Sequence, residues 1–248
     1  MLYHLALPVT SVLVLSWLLM GKGGDAWVAD RIYALQGGHW ALKRHFVTQQ
    51  VIHHFGKYLS VLAGITIITL CVVAHRRRSW QSWRRPLLFL SLSVSLSTLL
   101  ISTLKGMTNT YCPWELARYG GQFPFSGVFE AGMPGFPRGR CFPAGHASAG
   151  YAWVSLYFFA LATRPRWRWW GLSFGVMAGL VFGIGQQLRG AHFLSHDLWT
   201  WLICWLTALG LFWVMFVRGT PLPAVDSPQP SPPSPADLAE PGHFGGQA

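Results

Sequence analysis

The sequence predicts an all-α, polytopic membrane protein with six transmembrane helices and an active site at their outer ends. Of its 248 residues, 52% are hydrophobic and only 11% are charged, whereas a soluble domain usually carries about a quarter charged residues. A helix needs about 20 mostly apolar residues to cross a bilayer. Six runs approach this length, at residues 3–20, 57–75, 87–104, 146–163, 170–188 and 197–217.

Clustered arginines predict the orientation of these helices. Arg76, Arg77, Arg78, Arg84 and Arg85 lie between the second and third runs, and Arg164, Arg166 and Arg168 lie between the fourth and fifth. Because basic loops stay in the cytoplasm, both loops and both termini are expected inside. The outer segments are then 21–56, 105–145 and 189–196. The net charge of +11 arises largely from such loops, so we expect no nucleic-acid partner.

Two regions differ in composition. Residues 1–218 hold all the apolar runs and are expected to form one membrane domain. Residues 219–248 are rich in Pro, Ser and Ala and lack the apolar residues of a core, which predicts a disordered cytoplasmic tail.

Ionisable residues gather at the predicted outer helix ends. Lys105 ends the third run, His146 opens the fourth, and Arg189, His192, His196 and Asp197 lie between the last two. Snorkelling to headgroups explains any one of them, but explains poorly a set that shares one depth. Lys and Arg suit a phosphate. Two histidines offer a nucleophile and a general acid, and a carboxylate can orient a histidine ring.

Backbone N–H groups at the helix start near Gly145 can also hold an anion. The histidine and cysteine spacing does not match a zinc site, so neither a metal nor another cofactor is expected. Cys112 and Cys141 lie in the outer loop, where an oxidising compartment would favour a disulfide over two free thiols.

Three segments resemble the signature motifs of the type 2 phosphatidic acid phosphatase family, which is related to the vanadium haloperoxidases. The first motif, Lys, six residues and Arg-Pro, corresponds to Lys105 and Cys112-Pro113. The second, Pro-Ser-Gly-His, corresponds to Pro143-Ala144-Gly145-His146. The third, Ser-Arg, five residues, His, three residues and Asp, corresponds to 187–197.

The chain departs from each motif. Cys112 replaces an arginine that would bind phosphate, and Arg118 and Arg140 are candidates to supply that charge. Ala144 lacks the hydroxyl of the family serine. The third motif is re-spaced, so that either His192 or His196 fits the nucleophile position. The local pattern around Gly190 and Phe193 favours His192.

The resemblance implies hydrolysis of a lipid phosphate or diphosphate at the periplasmic face of a bacterial inner membrane. It implies that His192 forms a phosphohistidine, that His146 acts as acid and then base, and that Lys105 and Arg189 bind the phosphate oxygens. Asp197 or His196 would orient His192. The candidate substrates are polyprenyl diphosphate, phosphatidylglycerol phosphate, phosphatidate and a lipid A phosphate. The alternatives are a lipid phosphotransferase and a non-catalytic lipid-binding or transport protein.

Overall fold

The computed structural model describes residues 2–128, 130 and 135–218, and it is helical almost throughout this range. The predicted tail, 219–248, lies outside the described residues. The α-helices are α1 (Leu2–Ser16), α2 (Gly24–Leu35), α3 (Gly56–Arg76), α4 (Arg84–Met107), α5 (Gly145–Tyr151), α6 (Ser155–Thr163), α7 (Arg168–Leu188) and α8 (Leu194–Phe212). Three π-helical segments extend them: Trp17–Gly21 after α1, Val47–Phe55 before α3 and Trp213–Val217 after α8.

Within the described part of the chain, five helices are long and apolar enough to cross a membrane. They are Leu2–Gly21, Val47–Arg76, Arg78–Met107, Pro165–Leu188 and Leu194–Val217. The remaining predicted span, 146–163, comprises α5, a 3₁₀ turn at Ala152–Val154 and α6, which follow one another directly. Most of its side chains are buried against the neighbouring helices. A helix enclosed in this way does not need the apolar surface that lipid contact demands.

Small residues bring α5 and α6 close to α7. A Cβ added at Gly175 would lie 2.3 Å from the backbone nitrogen of Val154, and one at Gly179 would lie 2.0 Å from the ring of Tyr151. Glycines four residues apart share one helix face, which allows backbones to approach closely. A larger residue at either position would force the helices apart.

The apolar surface also indicates a bilayer. Large apolar side chains are exposed along α1, α3 and α7, including Leu62, Ile65 and Met177. Contiguous exposed apolar surface of this kind marks an interaction with lipid or protein. The core lies instead between α4, α6 and α8, where Phe89, Phe158 and Phe212 pack against one another.

Candidate active site

Four helix ends meet at one end of the bundle. Lys105 lies in the last turn of α4, His146 is the second residue of α5, Arg189 follows α7, and His192 precedes α8. The Lys105 ammonium is 3.5 Å from the position that a Cβ on Gly145 would occupy. Lys105, Gly145 and His146 also line one groove between α3 and α4. The structure therefore brings the predicted cations and histidines to one region.

The turn that carries His192 is held by its neighbours. Gly190 has a φ of 70°, a conformation that glycine adopts without strain. A Cβ there would lie 2.5 Å from the indole of Trp40. The backbone N–H of Trp114 donates to the Gly190 carbonyl at 2.9 Å, so the loop that follows α4 fixes this turn directly.

His192 and His196 form a buried pair. Their Nδ1 atoms are 3.4 Å apart, and the two side chains are almost inaccessible to solvent. One Nδ1 must donate and the other accept, because each neutral ring carries a single N–H. If His192 donates from Nδ1, its Nε2 keeps a free lone pair. Burial, followed by the positive charge of Lys105, lowers the pKa of His192 well below its ordinary value, which favours this neutral form.

Asp197 faces a different partner. Its Oδ2 accepts a hydrogen bond from Gln187 Nε2 at 2.5 Å, and the same oxygen lies 2.5 Å from the Cβ position of Gly183 on α7. Successive residues on an α-helix point about 100° apart, so His196 and Asp197 cannot both face one ring. Of the two residues expected to orient His192, the structure places His196 against it and turns Asp197 towards α7.

Arg189 is buried and anchored. Its Nε donates to the Lys43 carbonyl at 3.0 Å and its Nη1 donates to Gln186 Oε1 at 3.1 Å. The guanidinium also lies 5.9 Å from the ring of Trp114. These contacts hold the cation in a fixed place, as phosphate binding requires.

Cys112 and Cys141 are joined by a disulfide. The backbone N–H of Cys112 donates to Glu115 Oε2 at 2.8 Å, and Cys141 Sγ lies 3.4 Å from His192 Nδ1. The bridge therefore links the first-motif segment to the nucleophile candidate through direct contact.

Neither Arg118 nor Arg140 is a simple substitute for the first-motif arginine, whose position is occupied by Cys112. Arg118 forms a bidentate pair with Asp30, at 2.9 Å and 2.5 Å, and its side chain is 60% exposed. That hydrogen bond from Arg118 lowers the pKa of Asp30. Arg140 is exposed in the loop between α4 and α5. Arg118 is thus already neutralised by a carboxylate.

A metal-ligating geometry exists but is chemically incomplete. Ligand atoms of Cys141, His192 and His196 lie within 4.8 Å of one another. A metal takes the thiolate form of cysteine, and Cys141 is instead in the disulfide. Two imidazoles then remain, which is fewer than the three protein ligands typical of a catalytic zinc site.

The motifs did not reveal three residues beside the site. His53, in the π-helical segment before α3, packs its ring against that of His146, with ring centroids 3.9 Å apart. Lys57, one turn further, lines the groove with Lys105. Asp25 on α2 accepts hydrogen bonds from the backbone and side chain of Ser195 in the first turn of α8. In the sequence, these three residues are distinguished only as polar side chains close to apolar runs, and none belongs to a motif.

Two cavities adjoin these residues. The groove between α3 and α4 has a volume of about 500 Å³ and ends at Lys57, Lys105 and His146. A second, mostly apolar cavity of about 510 Å³ lies beneath the loop that follows α4, between Phe123, Phe125 and Phe193, and reaches Ser195 and His196.

A sequence model described as the PAP2 superfamily matches residues 86–220. The matched region contains Lys105, His146, Arg189 and His192, and it covers more than half of the chain. No curated protein and no solved structure matches this chain significantly.

Proposed function

The chain belongs to the PAP2 superfamily, and on this premise we propose that it hydrolyses a phosphate monoester or diphosphate of a membrane lipid through a phosphohistidine. Membership supports phosphatase-type activity on phosphate esters. The lipid substrate and the covalent intermediate are our proposals from the site.

The observation that carries the proposal is the groove that ends at Lys57, Lys105 and His146. One face of α3 and one face of α4 line it, from Ile68 and Val94 at one end to Lys57 and Lys105 at the other. Each wall spans twelve residues, and the eleven rises between its first and last residue measure about 16 Å at 1.5 Å per residue. Half of the roughly 30 Å hydrocarbon core is about 15 Å. The groove therefore suits a lipid of one leaflet, with its phosphate at the two lysines.

The chemistry follows from the contacts of His192. Its Nδ1–H would donate to Nδ1 of His196, 3.4 Å away, which leaves the Nε2 lone pair to attack phosphorus. The P–N bond forms as the bond from phosphorus to the leaving oxygen breaks. His146 protonates that oxygen, then takes a proton from the water that cleaves the phosphohistidine. Lys105 and Arg189 stabilise the charge that develops on the other phosphate oxygens.

We also propose six spans, with 145–163 as the fourth. The end of α4 and the start of α5 meet at the site, and 145–163 leads to the arginines at 164–168. Only if this segment crosses do the basic loops at 76–85 and 164–168 fall on one side, as the positive-inside rule requires. The site then faces outwards, where a disulfide persists. The compartment we propose is the bacterial periplasm.

Lipid phosphotransfer is the second candidate. The second cavity, beneath the loop that follows α4, is mostly apolar and reaches His196 on α8. It is separate from the groove between α3 and α4. A second lipid held there would replace water as acceptor of the phosphoryl group. Transport across the bilayer is less well supported, because the polar residues gather at one end of the bundle instead of lining a path through it.

The test is phosphate release by the purified protein from phosphatidate, phosphatidylglycerol phosphate, polyprenyl diphosphate and lipid A phosphate. We expect His192→Ala to lower turnover more than about 10⁴-fold and His146→Ala about 10²–10⁴-fold. His39→Ala is the matched control, because His39 is exposed in the outer segment. Full activity in both site variants would overturn the assignment.

Two further measurements separate the remaining alternatives. A phosphoenzyme trapped by acid-free quenching should form in the wild type and be absent from His192→Ala. Its loss only in His196→Ala would make His196 the nucleophile. Transfer of label to an added acceptor lipid, without release of inorganic phosphate, would favour the phosphotransferase.

A further inference from the structure

A second lysine lines the groove and a third histidine contacts His146, and both come from outside the region that the superfamily model matches. Lys57 and Lys105 lie at the same end of facing groove walls. The ring of His53 packs against that of His146, with an interplanar angle of 31°. The Nδ1 of His53 is buried and has no hydrogen-bond partner in the described part of the chain.

The backbone fixes where these two residues lie. His53 is in the π-helical segment Val47–Phe55, and α3 begins at Gly56. A π-helical turn changes which residues share a helix face, and such turns are frequent at functional sites. A Cβ at Gly56 would lie 2.3 Å from the Phe182 ring of α7. Ile52 packs in the same way against Gly185 of α7. The segment is thus docked on both sides of His53.

The positive charge of Lys57, Lys105 and Arg189 favours binding of an anion in this region. Among residues 2–128, 130 and 135–218, the single ion pair joins Arg118 to Asp30. Within these described residues, Lys57, Lys105 and Arg189 therefore have no carboxylate at ion-pair distance. A cluster of cations is complementary to a phosphate group.

We infer that Lys57 binds the substrate phosphate together with Lys105, supplying the cation that the first motif lacks at Cys112, and that His53 positions the ring of His146. This inference rests on the proposed phosphatase function. Lys57 is on α3 and Lys105 is on α4, so cations on both walls of the groove would bind the phosphate. His53 is a positioning residue, since it acts through the ring that it contacts.

The experiment compares Lys57→Met with Lys57→Arg, and His53→Phe with His53→Ala, in the full chain in detergent. Substrates are dioleoyl phosphatidate and farnesyl diphosphate, and inorganic phosphate is the competitive inhibitor. We expect Lys57→Met to raise KM and the phosphate inhibition constant about ten- to a hundredfold, with a smaller change in kcat. Lys57→Arg should restore most of the loss. Lys22→Met is the control, because Lys22 is an exposed outer-face lysine.

The two His53 variants test whether a ring at this position is needed to position His146. His53→Phe keeps a ring against His146 and should retain kcat, whereas His53→Ala should lower kcat and change the pH profile of the His146 step while KM stays near the wild-type value. The thermal unfolding midpoint of each variant shows whether the fold is intact.

The outcomes are separable from those of the proposed function. If His192→Ala abolishes activity but Lys57→Met and His53→Ala match Lys22→Met, the inference is wrong and the function stands. If the wild type releases no phosphate, the dissociation constant of inorganic phosphate is measured directly instead of the inhibition constant. Equal dissociation constants for the wild type and Lys57→Met would overturn the inference.

Discussion

A carboxylate from α2 holds the start of α8, which directly follows the turn that carries the nucleophile candidate His192. Asp25 Oδ1 accepts the backbone N–H of Ser195 at 2.9 Å, and Oδ2 accepts its hydroxyl at 2.5 Å. Ser195 lies in the first turn of α8, next to His196, and its side chain is buried. A negative charge at a helix N-terminus is favourable because it meets the unpaired N–H groups and the helix dipole.

Replacing Asp25 with Ala leaves two buried donors on Ser195 without a partner. Hydrogen bonds to a charged group contribute about 1.5–3 kcal/mol each and are not additive, so we expect a loss of about 2–4 kcal/mol. In a chain of this size, each kcal/mol lowers the unfolding midpoint by about 2–4 °C, which gives a fall of about 5–15 °C. Asp25→Asn keeps the oxygen that accepts the backbone N–H, and should fall between Asp25→Ala and the wild type.

The assay is thermal unfolding in detergent, with phosphate release measured on the same samples. A double-mutant cycle with Ser195→Ala isolates the hydroxyl contact, whose coupling we expect to be about 1–2 kcal/mol. Asp30→Ala is the matched control, because Asp30 is on the same helix but pairs with Arg118 at the surface, where such pairs contribute about 0–1 kcal/mol. Equal midpoints for Asp25→Ala and Asp30→Ala would refute the reasoning.

Three other predictions follow from the site. Burial lowers the pKa of His192. Since the attacking ring must be neutral, the acid limb of the pH profile of kcat/KM should have a pKa below the ordinary histidine value of about 6.5. An acid limb with a pKa above that value for both substrate classes would contradict this. Cys112→Ala with Cys141→Ala opens a loop of sequence separation 29, so we expect about 3–4 kcal/mol lower stability and weaker activity, with dithiothreitol treatment of the wild type reproducing both. Arg189→Ala should lower turnover about 10²–10³-fold, whereas Arg118→Ala should lower it no more than about fivefold; the reverse order would place the phosphate on the Arg118 side.

The residue pattern alone predicts much of this architecture. Composition and run length indicate membrane helices, and TM-length apolar helices are present at five of the six predicted positions. The remaining predicted span, 146–163, is helical, and because its neighbours bury most of it, it needs less apolar surface than a helix that faces lipid. The motif order also predicts the superfamily, which the match over 86–220 confirms. These properties depend on residue type and spacing, which are local.

Tertiary structure decides which side chains meet. Whether His196 or Asp197 faces His192 depends on a rotation of about 100° around α8, and spacing in the motif does not specify that rotation. His53 reaches His146 because a π-helical turn precedes α3 and glycines let that segment dock on α7. Sequence therefore determined the membrane class and the residues available for phosphate chemistry. The pairing of those residues arose from backbone register and close helix approach, which exist only once the helices are packed.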